Sequence, residues 1–254
     1  MIDSERLPEE NMYKCDNCGK THEITETKVT MNFLLGSRNI IDTINTNLRE
    51  SLVLARCGFF NSALAIQVSA FEAFMRDTFE SRYKNWFMYL LVDLSSLQKA
   101  KKKIINIVNE LGLKDQFFEQ LLVFEKEKDF KNYKEEIIYY NEILKALLFG
   151  NDEGDQRRIL NRISFQQLEK SSGAFWAYKN FFGIELKNEL EKQKAGYYEH
   201  LKKSFLLRHR IIHAPTEVLK NEVTPEMLEK NQEIILFIRN LLNEKLLQLK
   251  KEYG

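Results

Sequence analysis

Two arginines and two histidines crowd into positions 208–213, a run whose side chains can hold phosphate and move protons near neutral pH. They belong to residues 204–215, which read Ser-Phe-Leu-Leu-Arg-His-Arg-Ile-Ile-His-Ala-Pro. The whole chain has four histidines, at 22, 200, 209 and 213, so half of them sit in this stretch. An arginine offers a planar fork of donors to a phosphate and to the charge that grows on it in a transition state. A histidine can take the proton of an RNA 2′-hydroxyl or return one to a leaving oxygen. The set therefore suits phosphodiester chemistry on RNA. The plainer alternative is a salt-bridged core arginine, with histidines that only cap a helix.

The element that must position these groups is a helix. Leu201, Phe205, Arg208 and Ile212 recur at +4, +3 and +4, one helix face, which puts Arg208 on a stripe expected to be buried. A buried guanidinium is costly unless an anion meets it. Pro215 disfavours helix at Ala214, so His213 falls in the last turn, where the negative end of the helix dipole favours cations. Positions five apart lie about 140° apart around a helix, so Arg208 and His213 point different ways, while His209 and His213 share a side. Two copies of the helix meeting across a two-fold axis would pool Arg and His, and a homodimer is expected.

The run Arg208-His209-x-x-x-His213, at the end of a long helix late in a chain that reads as all-helical, resembles the motif of the HEPN superfamily. Residues 162–168 and the later run Phe181-Phe182-Gly183-Ile184 resemble the approach to that motif in several HEPN families. The resemblance implies a metal-independent endoribonuclease, usually dimeric, and a role in toxin–antitoxin, abortive-infection or other defence systems, with an antitoxin or defence partner. It implies also that an acidic residue on an earlier helix joins the site. Glu72, embedded in Ala70-Phe71-Glu72-Ala73-Phe74, is the candidate; its alternative is an ion pair with Arg76, four positions on.

Charged residues make up 30% of the 254 and hydrophobic ones 44%, the balance of a globular chain, long enough for a substantial core. Three prolines and ten glycines, beside abundant Leu, Ile, Lys, Glu, Phe and Asn, point to helices. A net charge of +1 gives no global field for nucleic acid, so RNA must meet local patches: Lys203 and Arg210 near the motif, and Arg157 and Arg158 with Arg162 after the loop at 150–155. No run of eighteen apolar residues and no signal-peptide pattern occurs, which leads to the expectation of a cytoplasmic protein without membrane contact.

Three cysteines do not make a disulfide framework, but two of them stand as Cys15-Asp16-Asn17-Cys18-Gly19, one knuckle of a zinc ribbon. A closed site needs four ligands. His22 is the third candidate, and then either Cys57 completes a mixed site, two chains pool their pairs, or the arm holds no metal. No cofactor is expected for catalysis itself; the zinc would be structural.

Along the chain, helices are expected over 29–56 and, after Cys57-Gly58, over a second segment capped by Asn61 or Ser62 and apolar on two adjacent faces. A third runs from Ser95 or Ser96 to Leu111 with the basic run Lys99, Lys101, Lys102 and Lys103, and one or two more fill 116–149. Residues 185–213 read as one long helix, and Thr224-Pro225 as the start of the last. The aromatics Phe175, Trp176, Tyr178, Phe181 and Phe182 have the spacing of core residues, with base stacking as the alternative.

The expectation is therefore an all-α chain: an N-terminal arm over 1–26 with half a zinc ribbon, and an HEPN-like helical bundle over 27–254 with a variable insertion at 93–170. Arg208 would hold the scissile phosphate, His213 would transfer the proton and His209 would orient the phosphate. The alternative, from a different class, is a catalytically silent helical module that binds nucleic acid or a partner protein.

Overall fold

The computed structural model describes residues 12–14, 21–23, 40–92, 97–125, 133–149, 163–169, 172–213 and 222–253. Among the described residues the protein is helical apart from one short antiparallel ribbon. In the ribbon β1 (Met12–Lys14) pairs with β2 (Thr21–Glu23), Tyr13 opposite His22. Among the described residues nine helices follow: α1 (Ile40–Arg56), α2 (Phe60–Val92), α3 (Leu97–Glu110), α4 (Lys114–Glu125), α5 (Tyr133–Phe149), α6 (Ala174–Phe182), α7 (Leu186–Gln193), α8 (Tyr197–His213) and α9 (Pro225–Tyr253). Among the described residues no helix is long and apolar enough to cross a membrane.

The helix ends follow local chemistry. Gly58, at φ +84°, turns the chain between α1 and α2, a conformation that costs an L side chain energy and glycine almost none. Thr224 Oγ1 accepts the Met227 N–H at 3.2 Å, and Pro225 occupies the first helical position, where its missing donor is not needed. Residues 185–213 are not one helix. The chain breaks at Lys194–Gly196, with Gly196 at φ +82°, so α7 and α8 are separate. Glu191 stabilises the break, its carboxylate accepting the N–H groups of Gly196 and Tyr198, each at 3.2 Å.

The chain divides into two compact units, residues 1–74 with 199–235, and residues 75–198 with 236–254. In the first unit Ile44 and Leu48 of α1, Leu64, Val68 and Phe71 of α2, and Leu201 and Phe205 of α8 are buried. Leu228, Ile234 and Ile235 of α9 complete this core. A polar thread runs through it. Gln67 donates to the Leu228 carbonyl at 3.3 Å and accepts from Asn231 at 2.9 Å, pinning α2 to α9.

In the second unit α3, α4 and α5 pack on one another, and α6 packs on α7. Phe79 of α2 is surrounded by Phe165, Tyr178, Phe181 and Phe182, with ring centroids 5.1–6.1 Å away. Tyr178 is sealed inside, donates to the Met75 carbonyl at 2.8 Å, and burial pushes its phenol pKa well up.

Candidate active site at the end of α8

The inner face of α8 is set by packing. The Phe71 ring meets the Phe205 ring edge to face, with centroids 6.1 Å apart and planes at 86°. Glu72 is the next residue on α2 and Arg208 lies three beyond Phe205, so this aromatic contact brings carboxylate and guanidinium together. Arg208 Nη2 donates to Glu72 Oε2 at 3.2 Å, with 14% of the arginine side chain and 11% of the glutamate exposed. The anion that a buried Arg208 requires is thus Glu72. The alternative Glu72–Arg76 pair does not form; Arg76 is exposed and lies 3.5 Å from Asp77. The guanidinium engages Glu72 through a single nitrogen, and its buried Nε has no hydrogen-bond partner among the described residues.

The outer face carries the histidines. His209 and His213 are exposed, one helical turn apart, with ring centroids 4.5 Å from each other and planes at 48°. Their separation from Arg208 in exposure follows the helix phase: the arginine faces inward and the two imidazoles outward. Arg210 is also exposed, and both of its terminal nitrogens donate to Glu222, at 2.9 and 3.1 Å. Glu222 had no signal in sequence beyond its charge. Lys203 is exposed. The apolar stripe Leu201–Phe205–Arg208–Ile212 is shielded only as far as Arg208; Ile212 is 45% exposed and Leu206, outside the stripe, 61%.

His200, also on α8, stays apart from this group. Its Nε2 lies 3.1 Å from the Met227 carbonyl, tying α8 to α9, and burial lowers its pKa. Ser204 bonds back to the His200 carbonyl at 3.0 Å and so satisfies its own buried hydroxyl.

The remaining candidates are dispersed or lie elsewhere. Cys15, Cys18, Arg157 and Arg158 lie outside the described residues, and so does Arg162. Among the described residues no group of three or more His, Cys, Asp or Glu could hold a metal ion. His22 is placed by the backbone of β2, and Cys57 is buried where α1 ends. The lysines of the run on α3 differ in exposure. Lys99 and Lys102 are exposed, and Lys101 is bound to Glu136 at 2.7 Å, a hydrogen bond that raises its pKa. Lys103 is partly buried, and desolvation lowers its pKa. Of the aromatics considered for stacking bases, Phe175, Tyr178, Phe181 and Phe182 are core residues.

The site thus offers a shielded cation already held by one carboxylate and, on the opposite side of the same helix, two solvent-facing imidazoles. No protein-family model matches the chain, and neither a curated protein nor a solved structure does.

Proposed function

We propose that this chain is a metal-independent endoribonuclease of HEPN type, serving as a toxin or defence effector that a partner protein restrains. The observation that carries the reading is the pairing of Arg208 with Glu72 on the inner face of α8, with the exposed His209–His213 pair on the outer face of the same helix. Arg208, with its unused donor, binds the scissile phosphate and the charge that builds on it. Glu72 orients the guanidinium. His213 takes the 2′-hydroxyl proton; the 2′-oxygen attacks phosphorus, the bond to the 5′-oxygen breaks, and that oxygen gains a proton. The products are a 2′,3′-cyclic phosphate and a 5′-hydroxyl. His209 orients the phosphate, and Lys203 and Arg210 contact the RNA backbone.

Because Arg208 and His213 face opposite ways, the site closes when two α8 helices meet in a homodimer. The exposed Leu206 and Ile212 supply apolar surface for that meeting. A second reading has its own support. An arginine about nine-tenths shielded and paired with a glutamate is also what a purely structural ion pair looks like, and it favours the silent binding module.

The test uses EDTA-treated protein on mixed RNA, with product ends examined for cyclic phosphate and melts recorded in parallel. His213→Ala lowers the rate by roughly 10²–10⁴ with the melting temperature unchanged. Arg208→Lys retains a charge for Glu72 but loses the planar fork, and it lowers the rate while the protein stays folded. Cleavage that needs a divalent ion, or that survives both substitutions, leaves the binding module as the reading.

A further inference from the structure

A cavity of about 470 Å³ opens in the second unit among residues 163–169, α6, α7 and the first turn of α8. Its size falls in the range of small-molecule sites, roughly 300–1,000 Å³. The floor is aromatic: Phe175 and Tyr198 lie with ring centroids 5.9 Å apart, and Trp176 stands beside them. Around that floor run two ion pairs, Lys187 with Glu169 at 2.9 Å and Lys179 with Glu185 at 2.8 Å. The Lys187 ammonium also rests 4.4 Å above the centre of the Tyr198 ring.

Charge balance decides what such a site takes. Two lysines and two glutamates make the lining neutral. A nucleotide or an RNA backbone would bring phosphate charge with nothing to offset it, and a simple amine would leave a surplus cation. A molecule with one ammonium, one carboxylate and a flat apolar body keeps the balance. The four charged side chains are all well exposed, and exposed pairs contribute little net stability, so each ion can trade its protein partner for a ligand at small cost. The ligand's ammonium can also replace that of Lys187 over the tyrosine ring, which preserves the cation–π contact.

We infer that this cavity binds a small aromatic zwitterion of the aromatic amino-acid class. Its ring lies on the Phe175–Trp176–Tyr198 floor and its ammonium between Glu169 and the Tyr198 ring. Its carboxylate is held by the released Lys187 together with Lys179. The inference does not depend on the ribonuclease reading.

Titration calorimetry on the full chain tests it, with L-tryptophan as the probe, indole-3-acetate and tryptamine as its single-charge analogues, and adenosine monophosphate as the polyanion. Tryptophan saturates one site per chain, and each analogue binds about tenfold or more weaker. Glu169→Gln, at an exposed position, weakens tryptophan and tryptamine by about tenfold and leaves indole-3-acetate unchanged. Asn188→Trp, which fills the cavity from α7, abolishes binding while circular dichroism confirms the fold. The inference is overturned if tryptophan shows no saturable heat up to about 10 mM. It is overturned equally if the analogues or the monophosphate bind as well as tryptophan, or if the two variants bind like the native chain.

Discussion

Among the described residues eight polar or charged side chains are buried, and six of them (Asn47, Ser51, Gln67, Glu72, Ser204 and Asn231) belong to the first unit. The second unit holds Thr78 and Asn141, and in it Phe79 is buried among four aromatics. The difference teaches where each interior gets its specificity. Apolar area drives burial but has no direction. Hydrogen bonds and ion pairs have direction and are costly when half made, so they fix which helix faces which. The first unit aligns α2 with α8 and α9 through such directional contacts, and it is there that the candidate site lies.

The largest expected effects come from cutting each interior at its centre. Phe79→Ala leaves a cavity among four rings and lowers stability by about 3–5 kcal/mol, read from urea unfolding. Arg208→Ala removes the guanidinium from a largely shielded ion pair and costs a similar amount, about 3–5 kcal/mol. The two losses are alike in size and differ in cure. Replacing both partners, as Glu72→Leu with Arg208→Leu, recovers most of the stability, because a buried ion pair can often be exchanged for apolar groups near neutrality. If the double variant is as unstable as Arg208→Ala, the pair contributes more than direction and the contrast between the interiors fails.

A middle-sized effect is expected at the start of α9. Thr224→Ala removes the cap of the Met227 N–H and lowers the unfolding free energy by about 1 kcal/mol. Smaller still is the pH response of His200. Burial depresses its folded-state pKa below the ordinary value of 6.5, so the unfolded chain binds the proton more readily. The neutral ring's contribution is complete above that value and declines as pH falls below it. Urea midpoints measured from pH 7.5 down to pH 5 drop less steeply for His200→Gln than for the native chain; an equal slope assigns the drop to other groups. The smallest effect belongs to the exposed Arg210–Glu222 pair. Glu222→Gln changes stability by no more than about 1 kcal/mol, and less at high salt.

Part of the candidate site was legible in sequence because each partner shows its need in its own neighbourhood, although 136 residues separate Glu72 from Arg208. A guanidinium on an apolar stripe demands an anion, and a glutamate set between Phe71 and Phe74 is the kind of residue that supplies one; the structure pairs them. The turn at Gly58, the cap at Thr224 and the apolar faces of α2 were equally readable, since each depends on a few neighbouring residues. The break at Gly196 was not. A single glycine is tolerated within a helical pattern, and what turns it into an elbow is Glu191 bonding forward across five and seven residues. Ile212 continues the periodicity of the buried stripe, but periodicity cannot say where a helix outruns its neighbours. The lysines of α3 read as one basic face because Glu136, which takes Lys101, is 35 residues away.

The Glu191 carboxylate has one more consequence, in the time domain. The first amides of a helix have no partner within it and ordinarily trade their protons with solvent quickly. Here two backbone N–H groups at the elbow, those of Gly196 and Tyr198, are tethered to one side chain. In deuterated buffer these two sites should label slowly, as though they lay deeper in the helix. Removing the tether with Glu191→Ala should make them label fast while amides in the middle of α8 keep their rates. The elbow would then appear as a latch that one carboxylate holds shut.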